Sequence, residues 1–366
     1  MVVVVAALVA PATAQANRKT VPDGDDVAMP LDIRSVSHGH RGTRLTHTLR
    51  TYAPFGGRLL RNENGIGFAF DTNGTRSSFE RYAIVFWESG RLHAIVVRPN
   101  GGFVASARVS RPSSRSVKVK LSRRSLGNPA GYRWFGYTSM GANFDFAPNR
   151  RLILHDITPP TIRFPRQPLP GDTTYDVTFR VSDTGGAGLK SWRLQLRRFG
   201  ATRWATIASG TSGGSKEVSV EAAQGDDHQY RVVAVDRDGN RRTSVVRTIS
   251  LPVDDTDASV LYVAGPSGLW TTGSAIAGAF LGTLHTTSTS GDTFTYTFDG
   301  GYVALVGPGN CAGGTVSIDG FAEAISPNCS GRQRRVLYAK RLASASHTLV
   351  FTMADGSFSL DGIVSR

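Results

Sequence analysis

The sequence predicts an all-β chain, three consecutive antiparallel β-sandwich domains behind an export leader. Three observations lead there. Short runs of alternating apolar and polar residues recur along the whole length, each bounded by Gly, Pro, Ser or Asn. The composition, with 41 Gly, 40% hydrophobic and 19% charged residues, is that of a globular chain rich in turns. The chain of 366 residues has room for two or three domains of about 100 to 150 residues each.

Residues 1–16, MVVVVAALVAPATAQA, are uncharged and end in Ala12-Thr13-Ala14 and Ala14-Gln15-Ala16, two small-x-small patterns that predict a signal peptide. No Lys or Arg precedes the apolar run, a departure from the usual positive start of such leaders. No later run reaches the roughly 18 apolar residues that a membrane span needs. A secreted or cell-surface location without a membrane span is therefore expected. In an exported chain an even cysteine pair reads as a disulfide, so Cys311 and Cys329 are expected to be bonded. Closing a loop of that size stabilises by roughly 3 kcal/mol in the chain-entropy model.

The first module, 17–155, carries the positive charge. It holds 22 Lys and Arg against 9 Asp and Glu, whereas 156–252 holds 14 against 10 and 253–366 holds 6 against 9. Ser116-Val117-Lys118-Val119-Lys120-Leu121 alternates with period two, which turns Val117, Val119 and Leu121 inward and both lysines to water. The turn around Arg111-Pro112-Ser113-Ser114 folds this strand back onto Val104 to Val109. Arg108, Arg115, Lys118, Lys120, Arg123 and Arg124 are then expected to cluster near one hairpin as a polyanion-binding face. No nucleic-acid-binding motif accompanies the charge, so nucleic acid is not the expected partner. Further strands are read at Thr43 to Tyr52, Tyr82 to Trp87 and Arg91 to Arg98, the last two joined by a turn at Glu88-Ser89-Gly90. With Asp23-Gly24-Asp25-Asp26, Leu31-Asp32-Ile33 and Phe70-Asp71-Thr72-Asn73-Gly74, the module resembles DOMON-like or glucodextranase-type β-sandwiches of secreted bacterial proteins. That resemblance implies sugar binding, haem binding or a passive accessory role.

Asp156-Ile157-Thr158-Pro159-Pro160 opens the second module, 156–252, because consecutive prolines enforce an extended linker. Tyr175 to Val181 alternates, Trp192 to Leu196 follows, and Tyr230 to Asp236 runs into Arg237-Asp238-Gly239-Asn240. This resembles bacterial immunoglobulin-like or fibronectin type III-like domains, which implies a spacer with a buried Trp. The third module, 253–366, has strands at Thr293 to Phe298, Tyr302 to Pro308, Gly314 to Gly320, Val336 to Tyr338, Ser346 to Phe351 and Phe358 to Ile363. Its Val-x-Ile-Asp-Gly, His347-Thr348-Leu349 and Leu360-Asp361-Gly362 resemble the galactose-binding-like jelly roll of carbohydrate-binding modules. A jelly roll fixes a fold more than a ligand.

No catalytic centre is legible. Gly210-Thr211-Ser212-Gly213-Gly214 matches the nucleophile-elbow pattern, but it lies between two β-rich runs, not between a strand and a helix. His38, His40 and His47 lack further ligands at metal-site spacing and are expected in a polar loop. Asp23, Asp25, Asp26 and Asp32 supply hard oxygen ligands, from which a structural Ca²⁺ site is read, although the EF-hand spacing is not met. Trp270 stands in a Gly/Thr-rich stretch outside any alternating run and is the expected sugar platform, with Arg332, Arg334 and Arg335 to meet hydroxyls or a carboxylate. The function expected is that of an exported, non-catalytic glycan-binding or cell-surface interaction protein whose partner is a polysaccharide or anionic envelope polymer. The alternative is a purely structural or adhesive envelope protein. A glycan hydrolase would need clustered acids or a Ser/His/Asp set in one cleft. The sequence is silent on ligand identity and oligomeric state.

Overall fold

The computed structural model describes residues 17–62, 64–75, 78–149, 151–266, 268–309, 313–325 and 334–366. Residues 1–16, read above as a leader, and Cys311, Cys329 and Arg332 lie outside the described residues. Almost all regular structure is antiparallel strand, as the alternating runs require. Among the described residues no helix is long and apolar enough to cross a membrane. The chain clusters into two compact units. One comprises Met1–Thr161 with Ser182–Ser191 and Ala234–Arg242; the other comprises Ile162–Val181, Trp192–Val233 and Thr243–Arg366.

In the first unit the strands are β1 (Asn17–Pro22), β2 (Ile33–Arg41), β3 (Arg44–Thr51), β4 (Gly65–Asp71), β5 (Arg81–Glu88), β6 (Arg91–Val97), β7 (Phe103–Ser113), β8 (Ser116–Ser122), β9 (Gly131–Met140), β10 (Asn143–Ala147) and β11 (Ile153–Asp156). They pair in the order β1-β2-β3-β8-β7-β6-β5-β4-β9-β10, with β11 also on β9. The eleven-residue β7 is the corner of the sandwich, since Phe103 to Ala107 pair with β6 while Arg108 to Ser113 pair with β8. Inward residues of the two halves make one core, with Ile33, Val36, Leu45, Leu49, Val117 and Val119 from one and Ile66, Phe68, Phe70, Val85, Val96 and Trp134 from the other. The β7–β8 hairpin forms as expected, with Val109 opposite Val119. At the β5–β6 turn Ser89 and Gly90 both have positive φ, at 50° and 85°, as a two-residue hairpin turn that matches strand twist demands.

The three histidines expected in a polar loop are instead strand residues, and His40 is half-buried. His38 and His47 are buried and His155 of β11 joins them. The misreading has a simple cause: period two along β2 and β3 places these polar residues where an apolar one would be expected.

In the second unit Thr174–Ser182 pairs with Gly214–Glu221, and Ala205–Gly210 pairs with the strand that carries Trp192. Trp192 is buried against Phe179 with ring centroids 5.2 Å apart, as the immunoglobulin-like resemblance implies. Its ring lies over Gly210, where an added Cβ would come within 2.8 Å of Cζ2. The segment from Val253 onward forms a seven-stranded sheet and a three-stranded sheet of Thr271–Gly273, Leu284–Thr287 and Phe358–Leu360. Phe294, Phe351 and Phe358 are buried between them, Phe351 and Phe358 stacking at 4.0 Å. Two expected strands, Val336 to Tyr338 and Ser346 to Phe351, are parts of one long strand, Arg335–Asp355.

Candidate functional site: a cationic depression in the first unit

The outward residues of β2, β3, β8 and β7 form a row across the sheet. Gly39 is level with Thr46, Thr46 with Lys120, and Lys120 with Arg108; one step along, Ser37 is level with Thr48 and Thr48 with Lys118. Period-two alternation puts all of them on the face opposite the core. Together with Arg41, Arg44, Ser106 and Ser122 they line a depression of about 580 Å³. Its wall holds five cations and five hydroxyl side chains, and no carboxylate. None of the five cations is ion-paired among the described residues.

Of the six basic residues expected to cluster, Arg108, Lys118 and Lys120 line the depression and the other three do not. Arg115 sits in the β7–β8 turn, whereas Arg123 and Arg124 follow the far end of β8, about 26 Å away at the rise of an extended strand. Arg123 is also engaged, its Nε donating to the Pro129 carbonyl at 2.8 Å. Arg41 and Arg44, at the β2–β3 turn, take their place. The sequence shows the Arg41-Gly42-Thr43-Arg44 hairpin turn but not the pairing of β3 with β8 that brings both arginines to the depression.

Beneath this face runs a buried polar chain. His40 Nδ1 lies 3.0 Å from His155 Nε2, His155 Nδ1 lies 2.7 Å from the Tyr132 hydroxyl, and that hydroxyl lies 2.9 Å from His47 Nε2. The Trp134 indole N–H donates to His38 Nδ1 at 2.9 Å, so neutral His38 carries its proton on Nε2. His38 stacks on His155 at 3.9 Å. Burial, then Lys19 and His40, push the His38 pKa down to about 3. Burial and the neighbouring histidines hold His155 and His47 well below the ordinary range too. The network is thus neutral at physiological pH, which suits a site directly under unpaired cations.

The remaining sequence-derived candidates lie elsewhere. Trp270 is half-buried against the core that holds Phe294, Phe351 and Phe358, with its ring 4.8 Å from Tyr262 and 6.1 Å from Phe294, so it is not the free-standing platform that its Gly/Thr setting suggested. Long-range packing, invisible in a Gly/Thr-rich stretch, claims the ring. Arg334 packs its guanidinium on the backbone at Gly171, where an added Cβ would be 2.2 Å from Nη1, and both it and Arg335 are half-buried. Ser212 of the elbow-like pattern sits in a turn leading to a strand; its carbonyl accepts from Trp192 Nε1 and its Oγ from Lys216 Nζ. An acid–imidazole–hydroxyl chain does occur on the three-stranded sheet: Asp255 Oδ2 is 2.7 Å from His285 Nδ1, and His285 Nε2 is 2.9 Å from Thr272 Oγ1. His285 is cross-strand from Thr272 and stacked flat on Tyr262 at 4.1 Å, so the chain ties two strands together.

Phe144 and Phe146 of β10 are 55% and 44% exposed, and their rings lie 6.4 Å apart at 10°. Phe135 joins them at 5.7 Å from Phe146.

No family model matches the chain, and no curated protein matches it. Solved structures that are similar include one described as carbohydrate-binding modules from the β-sandwich superfamily, 13% identical over 57% of this chain and 99% of that one, TM-score 0.28. Another is the CbhA fibronectin(III)-like modules of Clostridium thermocellum, 12% identical over 57% and 86%, TM-score 0.27. A third is the Bacteroides ovatus mixed-linkage glucan utilization locus SGBP-B with a heptasaccharide, 10% identical over 94% and 87%, TM-score 0.23. Likeness at this level accompanies the β-sandwich architecture and bears on no residue.

Proposed function

We propose that this is an exported, non-catalytic binding protein whose first module holds an anionic polysaccharide or anionic envelope polymer in the depression between β2 and β7. The observation that carries the proposal is the carboxylate-free wall of Arg41, Arg44, Arg108, Lys118 and Lys120, interleaved with Ser and Thr hydroxyls. Cations attract the polymer's carboxylates or phosphates through space, and the hydroxyls exchange hydrogen bonds with sugar hydroxyls. An extended polymer suits an open depression on a sheet face better than a closed cavity would. The later modules, in this reading, space and present the first.

The test is retention of the chain on immobilised polygalacturonate across a salt series, beside a neutral glucan. Binding should fall steeply as the Debye length shortens from about 30 Å at 0.01 M to about 8 Å at 0.15 M. Lys118→Glu with Lys120→Glu, both outward-facing, should abolish it without loss of fold. Salt-independent binding to the neutral glucan would refute the reading. It would favour a second one, in which a pyranose face stacks on the exposed, nearly parallel rings of Phe144 and Phe146.

A further inference from the structure

The acids expected to form a cation site are joined by one that the alternation pattern hides. Carboxylate oxygens of Asp23, Asp26 and Asp145 all lie within 4.8 Å of one another. Two oxygens bound to one calcium at about 2.4 Å can be no farther apart than about 4.8 Å. Asp145 comes from β10, where the pattern Phe144-Asp145-Phe146 is inverted: the acid is 2% exposed while both aromatic rings face water. The cluster draws on two segments far apart in sequence. Asp145 Oδ2 accepts from the Ile33 amide at 2.6 Å, which holds β10 beside the start of β2, and Asn149 Nδ2 donates to Asp26 Oδ2 at 2.7 Å.

A cluster of acids alone is no site, and the second observation is Asp32. Its side chain is 3% exposed, next to the carboxyls of Asp25 and Asp145, and neither of its oxygens makes a hydrogen bond of normal length and angle. The buried Asp23 Oδ2 is also unpartnered. No Lys or Arg forms an ion pair with any of these five acids among the described residues. Buried carboxylates without donors or counter-charge are strongly destabilising unless something neutralises them. All the candidate ligands are oxygens, the donor type of hard cations; no His or Cys belongs to the group.

We propose that Asp23, Asp26 and Asp145, with Asp32 and Asp25 beside them, bind one calcium ion that locks the segment between β1 and β2 onto β10. The inference is independent of the polymer-binding reading.

The experiment is calorimetric titration of the chelator-stripped full chain with calcium chloride, paired with thermal melts. One equivalent of calcium should bind and raise the melting temperature, chelator should reverse the rise, and magnesium should be far weaker. Asp26→Asn, at an exposed position, and Asp32→Asn should each weaken calcium binding by about tenfold or more. Absence of both heat and thermal shift up to millimolar calcium overturns the proposal. So does undiminished binding in both variants, which would put the ion elsewhere, for instance at the other acid group of Asp156, Asp183 and Asp236.

Discussion

Replacing His38 with Asn should change how the first unit responds to acid more than it changes the fold. Asn keeps an acceptor near the position of Nδ1, so the Trp134 indole N–H retains its partner. Wild-type His38 is neutral in the folded chain down to about pH 3 because burial, Lys19 and His40 oppose its charge, while in the unfolded chain it titrates near 6.5. Above about pH 7.5 both states are neutral there and the residue contributes no pH dependence. Below 6.5 the unfolded chain binds a proton that the folded chain refuses, so stability falls as pH falls. At pH 5 that amounts to 1.5 pH units at about 1.36 kcal/mol each, roughly 2 kcal/mol. Buried acids with raised pKa, such as Asp32 and Asp23, respond in the opposite sense, yet they are present in both proteins and cancel in the difference. The stability gap between wild type and His38→Asn should therefore narrow by about 2 kcal/mol from pH 7 to pH 5. Urea unfolding at several pH values, followed through the Trp134 indole resonance, measures it. Parallel curves for the two proteins, or a His38 ring that titrates near 6.5 in the folded chain, would refute the argument.

Two further outcomes follow from the later part of the chain. Trp270→Ala should lower the melting temperature of the unit that contains it, with a loss of about 3 kcal/mol, the low end for a buried Trp because this ring is only partly covered; an unchanged melt would return Trp270 to the role of an exposed platform. Cys311 and Cys329 should take up no thiol reagent in the denatured, unreduced protein and two equivalents after reduction, and labelling without reductant would rule out their bond.

How much was legible depended on whether the information was local. Strand periodicity is local, so the β7–β8 hairpin and the Ser89-Gly90 turn follow directly from residues within a few positions of each other, whereas the buried Trp192 came from the immunoglobulin-like resemblance. The depression was half legible for the same reason. Lys118, Lys120 and Arg108 face out by alternation on one hairpin, but Arg41 and Arg44 join only because β3 pairs with β8 across some seventy intervening residues. Nothing in a sequence read segment by segment pairs those strands. The histidines failed for a different reason. Alternation assigns faces by polarity, and His38, His47 and His155 are polar residues that satisfy one another inside, so their own hydrogen bonds remove the cost that would have kept them out. Asp145 is the inverse case, its inward acid betrayed by the exposed Phe on either side.

Net charge also conceals an arrangement that matters for both proposals. Residues 17–155 are strongly basic by count, yet at one end of β2 they gather Asp23, Asp26 and Asp145, with Asp25 and Asp32 beside them, and toward the other end five cations without an ion pair among the described residues. Strand β2 separates them. From Asp32 to Ser37, the near edge of the depression, is five residues, or about 17 Å of extended chain, and Arg41 lies about 30 Å off. Both distances exceed the Debye length of about 8 Å at physiological salt, so the acids do not cancel the field that the cations present to a polymer. An even mixture of the same residues would present little field and no concentrated ligand set. It follows that calcium should act on polymer binding only through the order of the fold. Under conditions where the calcium-free chain remains folded, adding one equivalent of calcium per chain, too little to load the polymer's own carboxylates, should leave retention on polygalacturonate unchanged.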